Sequence, residues 1–334
     1  MKKIIGIGNA LVDILVKLNN DDILNEYNLP KGSMQLVDKS FVTEFAKRIN
    51  EFNISIASGG SASNTIHGLA NLGVDTGYIG KIGLDNFGEI FKNDMNKNNV
   101  HPHLLTGNEE SGRAITFISP DTERTFATYL GAAIEMKPDE LSSDLFKNFD
   151  ILHIEGYLVQ DNKLIEKAIK TAKKCDLKVS LDLASYNVVE ANLNFLKKIV
   201  KDYVDIVFAN EEEAKIFTGE EPCEAVNIIS EMCEIAIVKV GEKGSYIKTG
   251  EENIQVGIRK ANVIDTTGAG DLYAAGFLYG LINNMSLLKC GEIAALLAGK
   301  VIEVIGPKIP EEVWYDIKDE VQRINEIGTA NWES

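Results

Sequence analysis

From about residue 134 onward, short apolar runs alternate with amphipathic stretches, and this alternation restricts the fold more than any other feature. Asp150-Ile151-Leu152-His153-Ile154 reads as a strand. A helix near Asn162–Cys175 follows, then a second strand at Lys178-Val179-Ser180-Leu181-Asp182-Leu183. A helical stretch near Val188–Val200 leads into Val204-Asp205-Ile206-Val207-Phe208, and Ile235-Ala236-Ile237-Val238-Lys239-Val240 closes the series. A strand that is apolar on both faces has to be covered on both faces. Helices between consecutive strands provide that cover and make the strands parallel. The expected fold class is α/β: a doubly wound, mostly parallel sheet flanked by helices.

Two segments break this rhythm, Leu11–Asp38 and Val100–Gly131, which alternate without a crossover helix of good length. Polar and apolar residues alternate in Arg113-Ala114-Ile115-Thr116-Phe117-Ile118-Ser119. Pro120-Asp121 then marks a turn, and Thr125-Phe126-Ala127-Thr128-Tyr129-Leu130 returns as a second strand. The chain of 334 residues exceeds the roughly 250–300 that one core usually serves, so an annex is expected. The expected division is a large α/β domain of residues 1–10, 39–99 and 134–334, with a small β-sheet lid of residues 11–38 and 100–133 over a pocket.

Composition narrows the partners. A net charge of −16 offers no basic stripe to displace phosphate counterions, so no nucleic acid is expected as partner. An anionic ligand must be met by local N–H groups and a metal, because the global field opposes it. The longest apolar runs, such as Ile293–Ala298, fall far short of the ~20 residues that span a bilayer, so no membrane partner is expected. The apolar start after Met1-Lys2-Lys3 is interrupted by Asn9 and Asp13. It reads as a buried first strand, not a signal peptide, and a cytoplasmic location is expected. Cys175, Cys223, Cys233 and Cys290 lie far apart, as reduced cysteines do, and His67, His101, His103 and His153 make no ligand set.

The chemistry concentrates in Val263-Ile264-Asp265-Thr266-Thr267-Gly268-Ala269-Gly270-Asp271-Leu272-Tyr273-Ala274-Ala275-Gly276-Phe277, an extended piece, a small-residue turn and a helix. The first N–H groups of such a helix have no intrahelical partner and point outward with the positive end of the dipole, which makes an anion site. Gly268 and Gly270 keep Cβ atoms out of an anion's way, and Asp271 stands in the first turn beside it. A plain helix cap would explain a lone G-x-G-D; the Thr266-Thr267 pair, Asp265 and the small-faced helix favour the anion site. Other phosphate motifs are absent from the sequence. Gly6-Ile7-Gly8-Asn9-Ala10-Leu11 lacks the third glycine of the dinucleotide fingerprint, and no G-x-x-x-x-G-K-[ST] occurs.

With Ser58-Gly59-Gly60-Ser61-Ala62-Ser63-Asn64-Thr65 near the N-terminus and Asp265-Thr266-Thr267-Gly268-Ala269-Gly270-Asp271 near the C-terminus, the sequence resembles the PfkB or ribokinase-like carbohydrate kinases. Gly80-Lys81-Ile82-Gly83-Leu84-Asp85-Asn86-Phe87-Gly88 and Ala209-Asn210-Glu211-Glu212-Glu213-Ala214 extend the likeness over about residues 4–310. Within the family it resembles the adenosine kinase branch in Gly8-Asn9-Ala10-Leu11-Val12-Asp13, Phe87-Gly88-Glu89-Ile90 and Tyr203-Val204-Asp205-Ile206-Val207-Phe208.

The resemblance implies a ribokinase-like fold and an ATP-dependent kinase whose large domain binds the nucleotide. It assigns Asp271 as the base for the acceptor's primary hydroxyl, and the N–H groups around Gly268, Ala269 and Gly270 as an anion hole. Arg124, on the lid, is expected to reach the transferring phosphoryl group when the lid closes; a solvated hairpin arginine is the plainer alternative. Asn9, Asp13, Gly59, Gly60 and Asn64 are expected at the acceptor, with Asp13 taking a ribose diol and the two glycines letting the sugar come close. Tyr157 matches a position where an aromatic ring stacks on the acceptor's adenine, with core packing as the rival reading. Asn210 and Glu213 are expected to organise Mg²⁺ through waters, and Lys239, Gly241, Gly244, Thr266 and Thr267 to line the ATP site. The family's usual Thr before Gly-x-x-Gly is replaced in Val238-Lys239-Val240-Gly241-Glu242-Lys243-Gly244. Asp265 matches a residue that helps bind a monovalent cation such as K⁺.

The acceptor reads as adenosine or a related ribonucleoside, and a free sugar such as ribose, fructose or a keto-deoxy sugar acid is the alternative. A non-catalytic binding protein would have lost the base, the anion hole or Asn-x-x-Glu, and all three are intact here. The chain is expected to be a monomer or a homodimer, with apolar lid residues Leu15, Met34 and Phe126 available for pairing.

Overall fold

Strand positions follow the alternation closely. The computed structural model describes residues 2–121 and 123–326. In chain order the strands are β1 (Lys3–Ile7), β2 (Leu11–Lys17), β3 (Met34–Leu36), β4 (Asn53–Gly59), β5 (Asp75–Ile82), β6 (Val100–Thr106) and β7 (Gly112–Ile118). There follow β8 (Arg124–Tyr129), β9 (Ile151–Glu155), β10 (Lys178–Asp182), β11 (Ile206–Asn210), β12 (Ile235–Lys239), β13 (Ser245–Thr249) and β14 (Glu252–Val256). One sheet has nine strands in the order β14-β13-β12-β11-β10-β9-β1-β5-β6. From β12 to β6 every neighbouring pair is parallel, and the β13–β14 hairpin adds an antiparallel edge.

Both faces of this sheet are covered, as its fully buried central strands require. One core packs the helices Ser61–Asn71, Ala269–Ile282, Leu287–Val301 and Val313–Glu326 against residues such as Phe208 and Ile237. The other packs the helices Asn162–Lys174, Tyr186–Tyr203, Glu211–Thr218 and Pro222–Ser230 against Ile5, Ile154 and Val207. Neighbouring residues of one strand thus serve opposite cores, which is the two-residue period of a strand written into the packing.

A second sheet of five strands runs β3-β8-β7-β2-β4. In β2, Ile14 and Val16 are buried in this sheet's own core with Phe45 and Phe117, and Val12 joins the core of the large sheet, while Leu11, Asp13 and Leu15 point the other way. The expected hairpin is present: β7 and β8 pair antiparallel from Arg113↔Tyr129 to Ile118↔Arg124. The small sheet nevertheless departs from the expected residues 11–38 and 100–133. Asn53–Gly59, assigned by the sequence to the large domain, pairs antiparallel with β2 from Leu11↔Gly59 to Lys17↔Asn53. The helix Lys39–Arg48 covers the small sheet through Val42 and Phe45. Conversely, β6 pairs with β5 in the large sheet. Pro102 has no N–H to give a ladder, and an edge strand is where a sheet tolerates it.

Candidate active site

The site gathers where the two sheets face each other, in a cleft of about 1470 Å³. Single-ligand pockets run to about 300–1,000 Å³, so this one has room for two ligands side by side. Strand ends β1, β9, β10, β11 and β12 supply Asn9, Glu155, Asp182, Asn210 and Lys239 from one side, and β2 supplies Asp13 from the other.

Asp265 starts the turn before the helix Ala269–Ile282 by accepting a hydrogen bond from the Thr267 N–H at 2.8 Å. The Ala269 N–H bends back to the Thr266 carbonyl at 3.2 Å. Gly268 then takes φ +78°, and a Cβ there would lie 2.7 Å from the Pro307 Cβ. A non-glycine residue would be strained on both counts. The helix Ala269–Ile282 begins here with no side-chain cap. The Gly270 and Asp271 N–H groups, in its first turn, have no intrahelical partner and face the cleft with the positive dipole end.

Asp271 is held on two sides. Ser61 Oγ donates to its Oδ1 at 2.7 Å, and Asn64 Nδ2 donates to its Oδ2 at 2.9 Å. Burial pushes the carboxyl up to about 6; the hydrogen bonds from Asn64 and Ser61 work the other way, and Asp182 adds to the rise. Asn64 Oδ1 is buried without a hydrogen-bond partner, an acceptor ready for a ligand hydroxyl. Asp13 carries a second raised carboxyl, lifted to about 7 by burial against the opposing charge of Lys308.

Gly59 and Gly60, expected to let a sugar come close, are packed tightly by the protein itself. Gly60 lines the cleft, but what comes close to these glycines is protein. A Cβ on Gly59 would sit 2.1 Å from Asp13 Oδ1, and one on Gly60 2.4 Å from the Asn9 carbonyl. Asn9 is fixed by Glu155, whose Oε1 accepts from its N–H and its Nδ2, both at 2.8 Å. Tyr157 lines the cleft and directs its hydroxyl to the Ala184 carbonyl at 3.4 Å; burial raises its pKa.

At the other end, Asn210 and Glu213 form a reciprocal capping box at the start of the helix Glu211–Thr218. Asn210 Oδ1 accepts from the Glu213 N–H at 2.8 Å, and Glu213 accepts from the Asn210 N–H at 2.8 Å and Nδ2 at 2.7 Å. Lys239 reaches between these groups: Nζ donates to Asp182 Oδ2 at 3.0 Å and lies 3.1 Å from where a Gly270 Cβ would be. Burial opposes its charge, but Asp182, Glu213 and Asp271 outweigh that and hold the ammonium above the usual lysine range. Burial and the nearby Asp182 push Glu213 up to about 7. Gly241, Gly244, Thr266 and Thr267 line the same end.

Three carboxylates facing one ammonium leave this corner short of positive charge. That suits a hydrated Mg²⁺, which keeps its waters and takes few direct protein ligands. Direct coordination does not suit it: among the described residues no group of three or more His, Cys, Asp or Glu is placed to hold a metal. The expected monovalent cation fits poorly. Asp265 already accepts from the Thr267 and Gly306 N–H groups and pairs with Arg124, Nη2 to Oδ2 at 2.6 Å. Arg124 also donates to Thr267 Oγ1 at 3.1 Å, so its guanidinium is engaged here by the turn. Leu15, Met34 and Phe126, expected to pair with a second chain, line the cleft.

Two residues lining the cleft, Glu155 and Asp182, and one charged neighbour, Lys308, escaped the sequence reading as functional residues. Glu155 and Asp182 sit at the ends of buried strands, where a carboxylate is out of place unless used, and that was a readable signal. Lys308 lies 3.7 Å from Asp94 and its charge also faces Asp13 and Asp271; burial holds its ammonium below the ordinary range. Only the fold brings Lys308 there, and no local pattern announces it.

Comparison with known proteins gives the family. The family model described as pfkB family carbohydrate kinase matches residues 32–314. A 5-dehydro-2-deoxygluconokinase of Listeria monocytogenes is 30% identical over 259 residues, 71% of this chain and 79% of the relative. A probable sugar kinase of Rhizobium etli superposes with a TM-score of 0.87 at 33% identity, covering 98% of this chain and 99% of its own. The adenosine kinase of Sinorhizobium meliloti gives 0.85 at 33% identity, covering 96% and 99%. No described helix is long and apolar enough to cross a membrane. The chain belongs to the pfkB family of carbohydrate kinases, and is a kinase with the ribokinase-like α/β fold.

Proposed function

We propose that the protein transfers the γ-phosphate of ATP to the primary 5′ hydroxyl of a ribonucleoside, adenosine foremost. One observation carries the choice of acceptor class. The part of the cleft walled by the small sheet combines Asp13 with apolar Leu15, Met34 and Phe126. A carboxylate accepts from two neighbouring hydroxyls, and an apolar wall suits the face of a nucleobase. A free sugar, with a hydroxyl on nearly every carbon, makes poor use of that wall. The likeness to the Sinorhizobium meliloti adenosine kinase supports the same reading.

In this reading the ribose lies between Asn9, Asp13 and Asn64 with its primary hydroxyl at Asp271. Phosphoryl transfer needs positioning and charge stabilisation more than covalent help. Asp271, steadied by Ser61 and Asn64, orients the hydroxyl and takes its proton as the bond to phosphorus forms. The N–H groups at the open helix end, with Ala269 released from Thr266, meet the phosphoryl oxygens as an anion hole. Lys239 beside Gly270 balances charge on the same group, and Thr266, Thr267, Gly241 and Gly244 line the nucleotide's path. Glu213, Asn210 and Asp182 would hold a hydrated Mg²⁺, which neutralises the ATP phosphates when bound.

A sugar acceptor is the second reading, favoured by the likeness to a 5-dehydro-2-deoxygluconokinase. Against a sugar acid stands Asp13, an anion on the acceptor side whose nearby cation, Lys308, it already engages, while the cleft-lining cations Lys239, Arg259 and Lys260 come from the large-sheet side. Purified protein assayed with ATP and Mg²⁺ against adenosine, inosine, ribose, fructose and 5-dehydro-2-deoxygluconate separates the readings. Adenosine should give the highest kcat/KM; transfer to a sugar with none to adenosine would overturn the nucleoside assignment.

A further inference from the structure

Arg124 is the first residue of β8, in the small sheet, yet its guanidinium is docked on the turn that precedes the helix Ala269–Ile282. Nη2 lies 2.6 Å from Asp265 Oδ2, with side-chain exposures of 12% and 0%. Nη1 donates to Thr267 Oγ1 at 3.1 Å, while Asp265 Oδ1 accepts from the Thr267 N–H at 2.8 Å. Arginine, carboxylate and threonine therefore close a small ring around the residues just before Gly268. The same carboxylate accepts from the Gly306 N–H, in the loop whose Pro307 packs on Gly268.

This ring does two jobs usually left to an ion. It neutralises a buried carboxylate beside the open helix end, and it ties the turn that shapes the anion hole to a second segment. A guanidinium does both with directed donors, which a spherical ion lacks. A further cation on the same carboxylate would stand next to the guanidinium and be repelled. Resting on the kinase reading above, we propose that Arg124 is a positioning residue that serves as the fixed counter-ion of Asp265, so that catalysis needs no monovalent cation. Because the arginine comes from the small sheet, that charge is delivered only while the two sheets are closed on each other. Turn order and cleft closure become one event.

The test uses the full chain with its best acceptor, in chloride salts of K⁺, Na⁺ and tetramethylammonium at equal ionic strength. Wild type should show the same kcat in all three. Arg124→Met should lose kcat by roughly 10–100-fold in tetramethylammonium, the span of one lost electrostatic contact or slightly less. Added K⁺ should restore a large part of it, with acceptor KM changing less than kcat. Arg124→Lys should stay insensitive to the salt. Thermal unfolding gives a reading independent of turnover: K⁺ should raise the Tm of Arg124→Met and leave wild type unmoved. A several-fold activation of wild type by K⁺ overturns the proposal, as does an Arg124→Met variant that K⁺ neither reactivates nor stabilises. Should wild type phosphorylate no acceptor, the kinase reading fails instead, and the unfolding experiment still decides the counter-ion.

Discussion

Two helix N-termini open into the same cleft and are finished in opposite ways. At the helix Glu211–Thr218, Asn210 and Glu213 satisfy each other's backbone donors in a closed box. At the helix Ala269–Ile282 the cap position is a glycine with φ +78°, and no side chain caps the end. The donors at the open end line the cleft, where water meets them until a ligand replaces it. The closed end is a piece of scaffold with a carboxylate attached. The open end is the proposed anion site.

If that contrast is right, the largest effect comes from the acid at the open end. Asp271→Asn should lower kcat by roughly 10²–10⁴-fold, the usual size of acid–base contributions. The fold should survive, because burial disfavours the native charge: with its pKa raised to about 6 from 3.8, the ionised aspartate costs the folded state free energy. That cost appears as pH rises from the unfolded pKa through the folded one. Circular dichroism and a Tm at pH 8 no lower than wild type would accompany the lost turnover. A variant with near-native kcat would erase the distinction between the two ends.

Acidity gives the next effect. In the proposed mechanism Asp13, at about 7, and Asp271, at about 6, must both be ionised, one to accept from the acceptor's hydroxyls and one to take a proton. The kcat/KM for the acceptor should therefore be flat above pH 8 and fall as pH drops through 7 and then 6, steepening as the second group protonates. A profile flat down to about pH 5, where ordinary carboxylates still ionise, would show that neither group matters.

The smallest effect belongs to the closed end. Asn210→Ala removes the cap and should cost about 1 kcal/mol, a Tm drop of no more than about 2–4 °C. Its effect on ATP KM should exceed its effect on acceptor KM, since Glu213 loses the partner that aims it. Equal changes in both constants would mean that the box has no tie to the nucleotide.

Much of this contrast was legible without coordinates. The capping box Asn210-x-x-Glu213 and the uncapped Gly268-Ala269-Gly270-Asp271 are both local patterns, and local patterns survive in sequence. The parallel strands were legible for the same reason, since each apolar run carries its own period. What was lost depends on partners far along the chain. Asn53–Gly59 went to the wrong sheet because its seven pairings with β2 leave no trace in its own residues. Asp182 and Lys239 are 57 residues apart and meet only through the order of β10, β11 and β12. Arg124 looked like a solvent-facing hairpin residue or a contact of the transferred group, and only folding shows it held by Asp265.

The short link between β1 and β2 carries one more implication. Asn9 is pinned by Glu155 to the strand ends of the large sheet, while Asp13, four residues later, rides on the small one. Any tilt of one sheet against the other must be absorbed between them, so the spacing of these two proposed acceptor contacts is a gauge of how far the enzyme is shut. A molecule that bridges both sets that gauge itself, and a sugar ring of the wrong breadth would hold the jaws at the wrong opening before chemistry is ever attempted.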